Sequence, residues 1–298
     1  MSQYQRLLLI INPALRQSQA LEHAAALAKA SGASLHIAAL IPSWKLLSLL
    51  EEGDREQARE GYLQDHRDWL KSQANHLRER GIEVTAEVTW ADDMQQDILD
   101  HVAEMQPDLL IKQVQHESAV KRAFLTPLDW RLLRHCPVPV YLLSESEGDL
   151  PLPRKVVAAV DASNTLAQDN ELNERIIQQA CGLAIQCDAE LHLLYACDIS
   201  MVYMGDMGGG GLTLSDLGAQ LRKEHETSFF DLADRYGVAA DRRHFIEGHP
   251  VAVLSAFADE QHMDVIVMGR VQSHGLEKLL GSTTEHTLYQ VPCSVLAI

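Results

Sequence analysis

Apolar residues in this chain fall into short runs separated by stripes at helical spacing. Arg6–Ile11 is a nearly continuous apolar run of strand length, ended by Asn12-Pro13. Leu21, Ala24, Ala25, Leu27 and Ala28 recur every three or four residues, which predicts a helix that Ser31-Gly32 stops. Leu35–Ile41 reads as a second strand, and Pro42–Asp54 as an irregular loop with a short apolar turn at Leu46–Leu50. Glu56–Arg80 reads as a long polar helix closed by Gly81. Strand Val84–Val88, helix Met94–Met105, a fourth strand opening at Leu109 and a fifth at Val138–Leu143 complete the first half. The polar, proline-containing stretch Ser144–Pro153 reads as a linker. Beyond it the order resumes: strand Val156–Val160, helix Asn170–Gln186, strand Glu190–Tyr195, helix Leu217–Tyr236, strand Arg243–Ile246 and helix Val251–Gln261. Strand Val265–Met268, helical turns at Thr283–Leu288 and strand Ser294–Ile298 close it. Strands alternating with helices predict an α/β class with parallel sheets.

The two halves also match in detail. Leu109–Leu143 and Val265–Ile298 each run through an apolar strand, a Val-Gln pair, a nearby His, a helical segment, a Pro and a closing apolar strand. Lys112 stands where Gly269 stands, and Thr126-Pro127 where Gly281-Ser282 stands. The chain therefore reads as a tandem duplication, domain 1 over residues 1–147 and domain 2 over 152–298. Each domain is expected to be a five-stranded parallel doubly wound sheet.

Composition narrows the partners. The net charge is −17, with −7 in the first 150 residues and −10 in the rest, so a nucleic-acid surface is disfavoured in both halves. No apolar run approaches the roughly 18 residues of a membrane span, and no signal-peptide pattern opens the chain. Five cysteines without C-x-x-C or C-x-x-H grouping read as buried thiols in a reducing cytoplasm.

The candidate chemistry centres on Asp264–Ser282. Gly269 follows an apolar strand directly, and Gly281-Ser282 followed by Thr283 and Thr284 precedes a helical pattern. Glycine lets a backbone approach a ligand, and small hydroxyl residues opening a helix offer donors to an anion. The same residues also read as a strand-end turn and an ordinary helix cap. Gly208–Gly211, within Met201–Leu214, follows no strand directly and lacks Gly-Lys-Ser/Thr, so it is no P-loop; it reads as a mobile loop or a lid. His116 and His274 sit just past a strand in the two repeats, as ligand contacts or as loop hydrogen-bonding groups. His244, His249, His262 and His274 do not share H-x-x-x-H spacing, and no metal site is predicted. No G-x-S-x-G elbow is present, and Asp161 lacks a nucleophile or metal partner in the sequence, so a binding role is preferred to catalysis. Trp130, Leu132 and Leu133 read as core packing or as the wall of a hydrophobic ligand site in domain 1.

The segments VVAAVDAS at 156–163, EGHP at 247–250, DVIVMG at 264–269 and GSTTEHTL at 281–288 together resemble the universal stress protein family. FLTPLDWRLLRHCPVPV at 124–140 looks like the first domain of its bacterial tandem E-type members. The resemblance implies an adenine-nucleotide alpha-hydrolase-like fold in each half, with ATP or a related nucleotide at the carboxyl ends of the strands. It would place Asp161, Ala196, Met268, Gly269, Gly281, Ser282 and Thr283 around that nucleotide in domain 2. The family's middle glycine is Gln272 here, and the interval from Gly269 to Gly281 is one residue short. In domain 1, Asn12 replaces the aspartate, and Lys112, Gln115 and Thr126-Pro127 replace the glycine motif. The resemblance further implies a cytoplasmic, non-enzymatic stress-response protein whose domains dock as an internal pseudo-dimer, with a homodimer as a further assembly. The other reading is a partner-binding or structural module whose nucleotide sites have decayed.

Overall fold

The computed structural model describes residues 4–12, 19–43, 51–114, 128–144, 152–163, 167–199, 214–270 and 291–298, excepting the side chains of 167–170 and 214–215. The chain divides into two compact units, Met1–Leu152 and Pro153–Ile298.

In unit 1 the described elements run β1 (Arg6–Ile11), α1 (Gln19–Ser31), β2 (Ser34–Pro42), α2 (Glu52–Glu79), β3 (Val84–Ala91), α3 (Met94–Met105), β4 (Leu109–Gln113), α4 (Leu128–His135) and β5 (Val140–Leu143). The strands are parallel in the order β3-β2-β1-β4-β5. Apolar runs such as Leu7–Ile11 are buried along their whole length because helices cover both faces of such a sheet. In α2, Leu63, His66, Leu70, Ala74 and Leu77 form one buried stripe on an otherwise polar helix.

Unit 2 repeats the plan with β6 (Lys155–Ala159), α5 (Ala167–Cys187), β7 (Glu190–Cys197), α6 (Leu214–Arg235), β8 (Arg243–Glu247), α7 (Pro250–Glu260), β9 (Val265–Met268) and β10 (Ser294–Ala297). Its parallel order is β8-β7-β6-β9-β10.

The same backbone solutions recur in both units. Left-handed residues close helices at Gly32, Gly81 and Gln106, and at Asp188, Gly237 and His262, each pair separated by 156 residues in the numbering. Asp108 Oδ2 accepts from the main-chain N–H groups of Gln5 and Arg6 at 2.7 and 2.9 Å. Asp264 Oδ2 accepts from those of Arg154 and Lys155, both at 2.8 Å. This carboxylate staple joins the start of each unit's first strand to the start of its fourth.

The staple corrects the alignment read from sequence. Asp108 corresponds to Asp264, and Val114 N–H donates to Leu143 O as Arg270 N–H donates to Ile298 O. Lys112 therefore corresponds to Met268, and Gln113 to Gly269. The Val-Gln pairs at 114–115 and 271–272 had suggested a register one residue off. Pairing between strands, which fixes which face each side chain meets, overrides a dipeptide match.

Element ends also move. β3 runs on to Ala91 because Thr89, Trp90 and Ala91 pair with Leu40, Ile41 and Pro42. α2 starts at Glu52, with Glu52 and Asp54 suited to the positive end of the helix dipole. α7 starts on Pro250, where a missing N–H costs no helix bond. β5 begins at Val140, two residues later than expected, and β7 extends to Cys197. Cys136, Cys197 and Cys293 are buried, whereas Cys181 and Cys187 are only half-buried on α5. Among the described residues, no helix is long and apolar enough to cross a membrane.

Candidate functional site

The strand order reverses direction between β1 and β4 in unit 1, and between β6 and β9 in unit 2. Open α/β sheets bind ligands at the carboxyl ends of strands beside such a switch point. In unit 2, Asp161 follows β6 and Gly269 follows β9, and these two strands are hydrogen-bonded neighbours. Ala196 lies near the carboxyl end of β7. With Met268 as the last residue of β9, four of the residues expected around a ligand stand at one end of one sheet. Gly281, Ser282, Thr283, His116 and His274 lie outside the described residues, as do Gln272 and Gly208–Gly211.

Asp161 is held by two groups that the sequence reading did not single out. Its main-chain N–H donates to Asn173 Oδ1 at 3.0 Å, and Asn173 Nδ2 donates to its carbonyl at 2.7 Å. Asn173 is 4% exposed, so both ends of a buried amide are spent on fixing this strand end. Ser163 donates to Asp161 Oδ1 from its main-chain N–H at 2.9 Å and from Oγ at 2.5 Å. The signal for Asn173 was present in the chain: it shares the buried stripe of Ile176, Ile177 and Ala180 on α5, and a polar residue there requires partners.

Gly269 has a packing reason for lacking a side chain. It does not occupy the left-handed region, and a Cβ built on it would lie 2.8 Å from Leu172 Cδ2. Helix α5 therefore crosses close over this strand end. Met268 buries its side chain in the core with Val253, Leu254 and Phe257, and its carbonyl accepts from Ile298 N–H at 2.9 Å. Ala196 packs against the same cluster. Arg270, also unremarked in the sequence reading, is 8% exposed and puts a cationic residue directly after Gly269.

Next to this end lie Tyr195, His225 and Cys197. Tyr195 Oη and His225 Nδ1 share a hydrogen bond of 3.1 Å, and Cys197 Sγ lies 3.6 Å from the same nitrogen. Burial first, and the charge of Asp161 second, push the Tyr195 phenol above its ordinary range. Burial likewise raises the Cys197 thiol. Neither group is tuned toward its anionic form, which argues against a nucleophile here.

Unit 1 is built differently. Lys112 on β4 and Asp129 in the first turn of α4 form an ion pair at 2.7 Å, with side chains 5% and 1% exposed. Lys112 Nζ also donates to Gln113 O at 3.0 Å. Leu132 and Leu133 are fully buried, in keeping with core packing, and Asn12 occupies the place of Asp161. Among the described residues no group of His, Cys, Asp and Glu is arranged to hold a metal.

Comparisons with known proteins agree with this plan. The sequence pattern described as "Universal stress protein family" matches residues 3–144 and again 153–298. The whole chain is 29% identical to Universal stress protein E of Photorhabdus laumondii, covering 96% of it. It is 26% identical to Universal stress protein E of Escherichia coli K12, again over the whole chain and 95% of that protein. A functionally unknown protein from Pseudomonas aeruginosa PAO1 matches 99% of this chain and 92% of its own, with TM-score 0.74 and 26% identity. A universal stress protein from Archaeoglobus fulgidus shares the fold over 99% of this chain and 96% of its own, with TM-score 0.66 and 17% identity. With one match in each half and relatives similar from end to end, the chain belongs to the universal stress protein family and carries two of its domains in tandem.

Proposed function

We propose that this protein is a cytoplasmic, non-enzymatic stress-response protein that binds a small anionic ligand, ATP or a related nucleotide, in its second domain. The observation that carries the reading is the fixing of Asp161 beside Gly269 at the switch point, by Asn173 and Ser163. A carboxylate held in place before a ligand arrives suits ribose hydroxyls, because little ordering is left to be done on binding. Arg270 adds a cationic residue at the same strand end, where unit 1 has Val114. In this reading Ala196, Met268 and Gly269 contribute main chain to the site, and Gly281, Ser282 and Thr283 hold phosphate. His116 and His274 are the proposed ligand contacts just past β4 and β9. The reaction chemistry required for hydrolysis has no counterpart in Tyr195 and Cys197, whose ionisation burial opposes. Equilibrium dialysis of the full chain against labelled ATP is expected to show saturable binding. Its absence from the wild type would remove the nucleotide from the proposal.

Leu172 favours a second reading. Its approach to Gly269 explains that glycine by helix packing alone, as in a partner-binding module without a nucleotide. Recovery of a stoichiometric protein partner without nucleotide, together with failed dialysis, would support it.

The proposal takes domain 1 as residues 1–147 and domain 2 as 152–298, docked as an internal pseudo-dimer through their last strands. β5 and β10 are short, apolar and without charged residues, and each ends the strand order of its own unit. Left bare, such strands invite pairing. Halves separated within Ser144–Pro153 are expected to self-associate or to recombine when mixed. Halves that stay monomeric at high concentration and ignore each other would contradict the docking.

A further inference from the structure

The amino-terminal parts of β7 and β8 hold a second group of titratable side chains, separate from the candidate ligand site. His192 is the third residue of β7 and His244 the second of β8. His192 Nδ1 and His244 Nε2 are 3.0 Å apart, and the rings stack with centroids 5.3 Å apart and planes 18° from parallel. His192 is 7% exposed. Its other nitrogen, Nε2, faces Glu190 Oε2 at 3.6 Å. The ring of Phe257 from α7 lies against His244, with centroids 4.5 Å apart. The remaining charges acting on the pair are Arg242 and Lys155 on His192, and Asp241 on His244. Ala196 is four residues further along β7, about 13 Å away at strand rise.

An N–H···N bond needs one nitrogen to donate and the other to offer a lone pair. The neutral pair satisfies this when His192 Nδ1 carries the hydrogen and His244 Nε2 accepts it. A first added proton on His192 Nε2 leaves that bond intact and meets the carboxylate of Glu190. A second proton must occupy His244 Nε2, the acceptor itself. Two N–H groups then oppose each other between two cations, and the link is lost.

We propose that this histidine pair makes the outer strand β8 of unit 2 proton-sensitive, so that acidification loosens β8 from β7 while unit 1 keeps its corresponding strands joined. Strand register sets the contrast: His36 stands in unit 1 where His192 stands in unit 2, and Glu87 where His244 stands. Glu87 Oε1 lies 2.9 Å from His36 Nε2 and 3.1 Å from His101 Nε2. An imidazole–carboxylate contact survives protonation of the imidazole, whereas an imidazole–imidazole contact survives only the first proton. Burial lowers both His192 and His244, against the opposing pull of Glu190 on the first and with the charge of His192 added on the second. The folded pair therefore binds fewer protons than the unfolded chain below the ordinary histidine range, and stability falls as pH falls through it.

Hydrogen exchange on the full chain tests this, with protection corrected for intrinsic exchange and compared at about pH 7.5 and about pH 5, on either side of the ordinary histidine range. In the His23→Gln protein, where the buried imidazole of unit 1 no longer titrates, protection in β7 and β8 is expected to fall at least about tenfold more than in β2 and β3, one pKa unit corresponding to a factor of ten. His244→Glu, which reproduces the arrangement of Glu87, and His192→Gln, which removes the imidazole–imidazole contact and leaves a single titrating ring, should each abolish that difference. Equal responses of the two units in the His23→Gln protein, or a difference that persists when either pair variant is added, would overturn the proposal. Should either variant fail to fold, wild-type imidazole NMR titration decides: two coupled steps for this pair support it, and two independent ordinary titrations contradict it.

Discussion

The two units share a strand order, a carboxylate staple and left-handed helix ends, yet they finish their fourth strands in opposite ways. Unit 1 closes β4 with a lysine neutralised by its own aspartate, both nearly inaccessible. Unit 2 places an uncharged methionine in the core at the same register and follows it with Gly269 and Arg270. The cation of unit 1 is thus committed to an internal anion, Asp129. At the strand end of unit 2, Asp161 is fixed by Asn173 and Ser163, Gly269 lies under Leu172, and Arg270 is nearly inaccessible. A duplicated scaffold thus preserves backbone geometry while its two copies carry different side chains at the same strand end.

Breaking the ion pair of unit 1 should have the largest effect. Asp129→Ala leaves Lys112 buried without its carboxylate and should cost about 3–5 kcal/mol in denaturant unfolding. Lys112→Met with Asp129→Leu, which imitates the apolar choice of unit 2, should recover most of that loss. A small effect of Asp129→Ala would mean that the pair is not what secures α4 to β4.

The next effect depends on pH. His23 on α1 meets Tyr141 edge-on at 5.1 Å, and its Nε2 is enclosed without a hydrogen-bond partner among the described residues. Burial lowers its pKa to about 4. The folded state therefore keeps His23 neutral while the unfolded chain protonates near the ordinary value. Its contribution is fully present above about pH 6.5 and declines as pH falls toward 4, by up to about 3 kcal/mol. Matching helix ends, Ala33 N–H to Ala28 O and Ala189 N–H to Ala184 O, put Gln179 at the corresponding place in unit 2. His23→Gln should flatten the pH dependence of urea unfolding in that window; an unchanged slope would assign it to other groups.

A smaller loss is expected at Asn173. Asn173→Ala strands both main-chain groups of Asp161 and should cost about 2 kcal/mol. Thermal unfolding checks the stability, and ATP dialysis should weaken in parallel if the strand end forms the site. Smallest, and opposite in sign, is Asp188→Gly. Asp188 closes α5 at φ 53°, where unit 1 has Gly32 at φ 70°. Glycine at that position should raise the melting temperature slightly, by a gain of about 1 kcal/mol or less.

The sequence made the α/β class, the duplication and the location of the strand ends legible, because buried parallel strands are written as short apolar runs. The register of β4 against β9 was not legible. It depends on which amides Asp108 and Asp264 hold, and such long-range bonds leave no local pattern. The pairing of Lys112 with Asp129 joins residues 17 apart in the chain and was missed for the same reason. Asn173 was readable in principle, as an amide on an apolar helical stripe. Gly269 carries two readings from sequence, and Leu172, which a Cβ there would strike, supplies the packing reason for one of them.

The contrast between the units is tested most directly by titration calorimetry of the full chain with ATP, comparing wild type, Asp161→Ala and Asn12→Ala. The account predicts one site per chain, affinity lowered about 10- to 100-fold by Asp161→Ala through loss of a charged acceptor, and no change with Asn12→Ala. Two equivalent sites per chain, or equal weakening by both substitutions, would contradict it.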